Sequence, residues 1–368
     1  MFSDKLKEEY DLLKENSQIN YDINDILEKD KVSWKDFCFL LSDISNESLK
    51  KLSQRALYLT TKRFGKTINF YVPLYLSNEC DSICVYCGFN KTRNIKRLTL
   101  NFSQIEHNFQ NLQNKGFDNI LLVTGESRKH FGVDKIIRSV TLAKKYFTFV
   151  AIEVFPMEED EYKKVVDAGC DGITIYQEVY DKKVYHKMHL EGDKKDYIYR
   201  LNTPDRALKA GFRKIGLGAL LGLSDPLFEI KALAKHVNYL QKKYWKSEIS
   251  LSFPRIRPEN ILAKVPFSIT DKKLVQIICA LRVYFPDIGF VLSTREHPQI
   301  RDHLIGLGIT QISAESSTSP DGYTGGDSGK QFMVSDERKL SEMLEVISKK
   351  GYDPVLKDWS DNFKGGAL

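Results

Sequence analysis

Apolar residues recur along this chain with two different periods, and the change between them near residue 65 divides it. Over residues 1–64 apolar side chains return every three to four positions, and neither strict alternation nor a continuous apolar run appears, so this part predicts helices without strands. Ser33-Trp34-Lys35-Asp36 places a hydroxyl cap three residues before an acid, with Phe37, Leu40 and Leu41 following on one face. A second helix runs from Asn46 to Phe64 and is stopped by Gly65.

From Ile68 onward short apolar runs alternate with amphipathic stretches. The runs are Ile68 to Tyr75, Asn119 to Thr124, Phe149 to Val154, Gly172 to Tyr176, Lys214 to Leu220, Ile249 to Phe253, Gly289 to Leu292 and Thr310 to Ala314. Helices are predicted near 103–115, 133–146, 158–168, 197–211, 227–244, 270–285, 298–307 and 335–350. Eight strand-helix units with strands apolar on both faces predict a parallel (βα)8 TIM-type barrel in the α/β class; a doubly wound open sheet is the alternative. The expected organisation is a helical N-terminal extension over 1–64, a barrel over 65–330, and a final helix with its tail over 331–368.

Barrel chemistry gathers at the carboxyl ends of the strands. Directly after the first run stand Cys80, Cys84 and Cys87, three thiols in a CxxxCxxC spacing on the loop 80–87. Three thiolates hold three irons of a [4Fe-4S] cube and leave the fourth iron open. A structural zinc site would want a fourth Cys or His nearby, and none lies within ten residues on either side. A disulfide framework belongs to short secreted chains. Cys38, Cys170 and Cys279 fall singly on apolar helical or helix-end positions and read as core residues.

Charge narrows the remaining classes. Fifty-five basic and 49 acidic residues leave a net charge of +6, spread along the chain with pairs such as Lys242-Lys243 near predicted helix ends, which argues against nucleic-acid binding. No run of eighteen apolar residues and no N-terminal apolar segment appears, so no membrane association is expected and the predicted location is cytoplasmic. A reducing compartment also suits exposed thiolates.

Residues after the other strands supply candidates for the same mouth. Glu153 ends the third run, where an unpaired buried carboxylate costs several kcal/mol, so it has either an ion-pair partner inside the protein or a ligand. Arg255 and Arg257 follow the sixth run; Ser293 and Arg295 follow the seventh. Arginines on one rim suit a substrate carboxylate. Glu153, Ser293 and Arg295 are the candidate catalytic groups. The stretch Gly322 to Gly329 reads equally as a lid or as a connecting loop.

With Tyr86 before its third cysteine, the loop resembles the signature of the radical S-adenosylmethionine (SAM) superfamily, in which that aromatic packs on the SAM adenine and the open iron chelates the SAM amino and carboxylate groups. Thr124-Gly125-Glu126 resembles the superfamily's Gly-Gly-Glu motif, which implies that Gly125 and Glu126 bind the SAM amino group. Related barrels imply a ribose contact for Glu178. The segment around Arg200 resembles the biotin-synthase-like subgroup, which implies that Arg200 pairs with the SAM carboxylate.

Phe70-Tyr71-Val72-Pro73, Cys84-Val85-Tyr86-Cys87-Gly88-Phe89, Ile175-Tyr176-Gln177-Glu178, Gly216-Leu217-Gly218, Ser252-Phe253-Pro254-Arg255, Leu292-Ser293-Thr294-Arg295-Glu296 and Leu356-Lys357-Asp358-Trp359 together resemble the 2-iminoacetate synthase family, the tyrosine lyases of thiamine biosynthesis, over residues 33–360. The resemblance implies a [4Fe-4S] cluster and SAM as cofactors, with reduced flavodoxin or ferredoxin as electron donor. It implies cleavage of the Cα–Cβ bond of L-tyrosine to p-cresol and 2-iminoacetate, and delivery of the latter to thiazole synthase. It also favours Arg295 over Arg255 and Arg257 for the tyrosine carboxylate. The relative of hydrogenase maturation carries further cysteines near its C terminus; here the last cysteine is Cys279, so a second cluster is not expected.

Overall fold

In the computed structural model, which describes residues 1–14, 21–256 and 265–357, four helices precede the first strand: α1 (Phe2–Lys14), α2 (Ile23–Leu27), α3 (Trp34–Leu41) and α4 (Asn46–Phe64). Their ends follow from local chemistry. Ser33 Oγ accepts from the Asp36 N–H while the Asp36 carboxylate accepts from the Ser33 N–H. Gly65, at φ 67°, terminates α4 where the chain turns into the barrel.

The barrel begins with β1 (Thr67–Ser77), followed by β2 (Ile83–Cys84), α5 (Phe102–Asn114), β3 (Asn119–Thr124), α6 (Val133–Ala143) and β4 (Phe149–Glu153). Next come α7 (Glu159–Asp167), β5 (Gly172–Glu178), α8 (Lys182–Met188), β6 (His189–Glu191), α9 (Tyr197–Leu201), α10 (Thr203–Lys209) and β7 (Lys214–Ala219). The chain closes with α11 (Pro226–Lys243), β8 (Glu248–Ser252), α12 (Asp271–Tyr284), β9 (Gly289–Leu292), α13 (Pro298–Leu304), β10 (Gln311–Ser313), α14 (Leu340–Lys349) and β11 (Asp353–Val355).

All eight predicted strands form. They lie parallel in the order β1, β3, β4, β5, β7, β8, β9, β10, and Gln311–Ser313 of β10 return to pair with Asn69–Tyr71 of β1. That pairing closes the cylinder and excludes the open doubly wound sheet. β11 adds a parallel segment beside Thr67–Asn69. The N-terminal helices cover the outside: Phe2 stacks on the His236 ring of α11 at 4.0 Å, and Lys231 donates to the Leu13 carbonyl at 2.9 Å.

Two predicted helices differ. The single helix over 197–211 is two, α9 and α10, because Pro204 in the first turn of α10 cannot donate to a preceding carbonyl. The last helix begins at Leu340 instead of 335, since Ser335 and Asp336 donate their amides to Thr294 and the buried Asp336 carboxylate is held by Arg301 and Arg338. The excursion from α8 to β6 carries no period long enough to predict. Its strand pairs antiparallel with β2 in the cysteine loop, Cys84 opposite His189.

Candidate active site

The loop after β1 is held from both sides. The Asp81 amide donates to the Glu126 carbonyl at 2.9 Å, and the Gly88 amide to the Gln331 carbonyl at 2.8 Å. Arg97 ties it from beneath, donating to the carbonyls of Asn78, Phe89 and Asn90. Gly125 permits the close approach of β3's end, because a Cβ there would run into the Glu79 carbonyl and stand 3.3 Å from the Cys80 Cβ.

Cys80 and Cys87 are half-buried and Cys84 is buried. Burial pushes all three thiols up, Cys87 to about 11, and neighbouring thiolates add to the rise at Cys84 and Cys87. Among the described residues no three Cys, His, Asp or Glu side chains enclose a single metal ion. The Phe89 amide already donates to Cys87 Sγ at 3.4 Å, the kind of bond that tunes a cluster thiolate.

Beside the loop the ends of β3 and β5 carry a buried charge network. Arg200 Nη1 donates to Glu126 Oε1 at 2.7 Å and its Nε to the Tyr176 carbonyl at 2.8 Å. Lys194 Nζ lies 3.0 Å from Glu178 Oε1 and 3.9 Å from Glu126 Oε1. Glu126 Oε2 has no hydrogen-bond partner, an opening for one more donor. Glu178 holds a left-handed backbone, φ 67°, where the β5–β7 register slips between Tyr176 and Glu178. Such strain in a non-glycine residue persists where the surroundings fix it, commonly at functional sites.

Tyr86 is fixed at its far end. His189 Nδ1 lies 2.9 Å from the Tyr185 carbonyl, which can only accept, so Nδ1 carries the proton and Nε2 accepts from the Tyr86 hydroxyl at 2.7 Å. Burial drives His189 well below its ordinary range and keeps it neutral.

A cavity of about 830 Å³, counting space at its open mouth, adjoins this network. Its wall includes Tyr86, Cys87, Glu153, Glu178, Ser293 and Arg295. Burial raises the Glu153 carboxyl to about 7, with the Glu178 charge adding to the effect. Arg295 packs its guanidinium 3.8 Å from the centre of the Phe332 ring, its Nε has no hydrogen-bond partner, and among the described residues no carboxylate forms an ion pair with it. Ser293 Oγ accepts from the Arg295 amide at 3.4 Å.

The structure does not bring Arg255 into this group. Its Nε donates to Glu296 Oε1 at 3.0 Å, a second nitrogen holds Glu296 Oε2, and Nη1 reaches Asp271 at 2.7 Å. Its charge is committed to those acids. Arg257 lies outside the described residues. A second cavity of about 510 Å³ shares Tyr71, Tyr176 and Ser252 with the first but contains none of the candidate site residues.

Lys194, His189, Gln331 and Phe332 were not singled out from the sequence. Lys194 belongs to a run of charges indistinguishable from a solvated surface turn, and Gln331 and Phe332 follow a glycine-rich stretch with no period.

Sequence comparison places these features in a lineage. Residues 74–237 match the family model for the Radical SAM superfamily, and residues 252–353 that for the Biotin and Thiamin Synthesis associated domain. The chain is 41% identical to the 2-iminoacetate synthase of Salmonella typhimurium, over 96% of this chain and 94% of that one. The chain belongs to the 2-iminoacetate synthase family of radical SAM enzymes. The Escherichia coli K12 member is 40% identical over the same shares. Among solved structures, the FeFe-hydrogenase maturase HydG from Carboxydothermus hydrogenoformans superposes with a TM-score of 0.89 at 30% identity, over 96% of this chain and 85% of that one. The family's cofactors are a [4Fe-4S] cluster and SAM, and the three thiols with the orphaned Glu126 oxygen fit that pair. Among the described residues no helix is long and apolar enough to cross a membrane.

Proposed function

We propose that this protein cleaves the Cα–Cβ bond of L-tyrosine to 2-iminoacetate and p-cresol, supplying a precursor of the thiamine thiazole. The near full-length 41% identity to a 2-iminoacetate synthase carries this reading. When bound, the cluster and SAM supply a one-electron cleavage that releases a 5'-deoxyadenosyl radical able to take a hydrogen from the substrate.

The chain's own residues position the partners. Cys80, Cys84 and Cys87 hold the cube. Tyr86, braced by His189, faces the adenine, and Glu178 takes the ribose. Gly125 and Glu126 receive the SAM ammonium, and Arg200 the carboxylate. Arg295, half-buried and without an ion-paired acid among the described residues, grips the tyrosine carboxylate, with Ser293 fixing its turn. Glu153 faces the substrate from the same cavity wall. The walls from Tyr71, Tyr75 and Tyr176 keep the radical from water.

Reduced flavodoxin or ferredoxin is the proposed electron donor, and the reducing cytoplasm the proposed compartment. Because 2-iminoacetate hydrolyses in water, direct transfer to thiazole synthase follows from the product's chemistry. The test is anaerobic turnover of reconstituted protein with SAM and a reductant: tyrosine should yield p-cresol. SAM cleavage without p-cresol from tyrosine, but with an indole product from tryptophan, would overturn the assignment.

A further inference from the structure

The cavity beside the cysteine loop carries one acid and one guanidinium that are not ion-paired to any of the described residues. The charged groups that act on Glu153 are Glu178, Lys194, Arg200 and Arg295. Three of these are already engaged: Lys194 lies 3.0 Å from Glu178, and Arg200 donates to Glu126 at 2.7 Å. Arg295 and Glu153 remain. Glu153 ends β4 on the cavity wall, and among the described residues it makes neither a hydrogen bond nor an ion pair. Tyr75, on the same wall, donates its hydroxyl to Gln331 Oε1 at 2.7 Å instead. A carboxyl left without a donor in a cavity wall is costly until a ligand brings one.

Strand order shows which part of a ligand that would be. Around the closed cylinder β4 and β9 are four strands apart in either direction, so Glu153 and the turn that carries Arg295 face each other across the mouth. An α-amino acid bears its ammonium and carboxylate on one carbon. A carboxylate gripped at Arg295 therefore keeps the ammonium on the Arg295 side. What extends away from that carbon in tyrosine is the ring, and the far end of the ring is a hydroxyl. Tyr71, Tyr75 and Tyr176 line the same cavity and offer ring faces and edges to an aromatic side chain. Burial and the Glu178 charge raise the Glu153 carboxyl, while Lys194, Arg200 and Arg295 draw it down. In either protonation state it keeps an oxygen that can accept.

We propose that Glu153 is the specificity residue for the phenol: its carboxyl accepts the hydrogen bond of the tyrosine hydroxyl while Arg295 holds the carboxylate at the other end. This rests on the tyrosine reading of the site. The cavity then selects its substrate by the polarity of the far end of the ring. L-Phenylalanine is refused because it fills the space and leaves Glu153 dry and without a donor.

The experiment is anaerobic equilibrium binding of L-tyrosine and L-phenylalanine to the reconstituted full-length protein with SAM and without reductant, so that nothing turns over. The wild-type protein should hold tyrosine about tenfold to hundredfold more tightly, as expected of a hydrogen bond to a charged acceptor. Glu153→Leu should bring the two amino acids within about threefold of each other, chiefly by binding phenylalanine better, with iron content unchanged. A preference kept in Glu153→Leu, or absent from the wild-type protein, overturns the proposal. Equal weakening of both amino acids overturns it too, since that would place Glu153 at the ammonium. If Glu153→Leu holds no cluster, Glu153→Gln is read by the same ratio, which should narrow by about threefold or more. Wild-type protein that prefers tyrosine but forms no p-cresol once reduced would strike the lyase reading and leave the phenol contact standing.

Discussion

Arg200 on α9 and Glu126 just after β3, proposed for the carboxylate and the ammonium of the SAM methionine, hold each other at 2.7 Å. On the proposed reading the pair stands in for the ligand's own charges: an entering ammonium would take Glu126, and the carboxylate would take the released guanidinium, which is also bonded to the Tyr176 carbonyl. Neither residue would then be left buried and unpaired.

Arg200→Ala should therefore weaken SAM binding by about 2 to 5 kcal/mol, since the ligand loses its partner and Glu126 loses its own. Equilibrium binding of SAM to the reconstituted variant measures this. A change confined to tyrosine affinity would place Arg200 in the other site.

Cys80→Ala, Cys84→Ala and Cys87→Ala should each lose the cluster's visible absorption and all SAM cleavage, because three thiolates are the fewest that hold the cube with one iron open. Iron and sulfide analysis gives an independent readout. Full cluster content in any of the three would remove that cysteine from the ligand set.

The two rim arginines should behave differently. Arg295→Ala should leave SAM cleavage running while p-cresol formation collapses, as abstraction needs a held substrate and SAM cleavage does not. Arg255→Ala instead breaks a buried pair with Glu296 and should cost about 3 to 5 kcal/mol of stability. Denaturant melts beside product assays separate the two outcomes.

Glu153 should leave a signature in the pH dependence of stability. Its carboxyl, ordinarily near 4.5, sits at about 7 in the folded protein, so between these values the native state binds the extra proton. Its contribution is therefore fully present below about 4.5 and lost as pH rises to about 7. Glu153→Gln should remove this slope and stabilise the protein at pH 8 by on the order of 1–3 kcal/mol. Thermal melts across that range check it; a wild-type slope retained in the variant would assign it to another group.

The barrel was legible because its strands are buried on both faces and read as continuous apolar runs, and because Ser33, Gly65 and the other caps act within a few residues of their own helix. The cysteine loop was legible from spacing alone. Pairing between distant segments was not. Arg255 and Arg295 follow neighbouring strands and look alike in sequence, yet Glu296 and Asp271 pair with Arg255, while among the described residues no carboxylate forms an ion pair with Arg295. Lys194 is one of several charged residues in its turn, and its burial depends on Gly192 meeting Ser82 where the short strands β2 and β6, distant in sequence, pair. Local pattern does not encode which surface a short turn will meet.

The closure of the barrel has a mechanical consequence. β1 is bonded to β3 along Val72–Ser77 but to β10 only along Asn69–Tyr71, and β10 to β9 only at Gln311 and Ile312. The cysteine loop and Glu126 thus share a long ladder, while Arg295, after β9, stands on one of the thin arcs of the cylinder, the ladder between β4 and β5 being equally short. Amides of Gln311 to Ser313 should exchange with solvent ahead of those in Leu121 to Val123. If the proposed roles hold, an opening along that seam would loosen the grip on an amino acid at Arg295 while the long β1–β3 ladder keeps the cysteine loop and Glu126 in place.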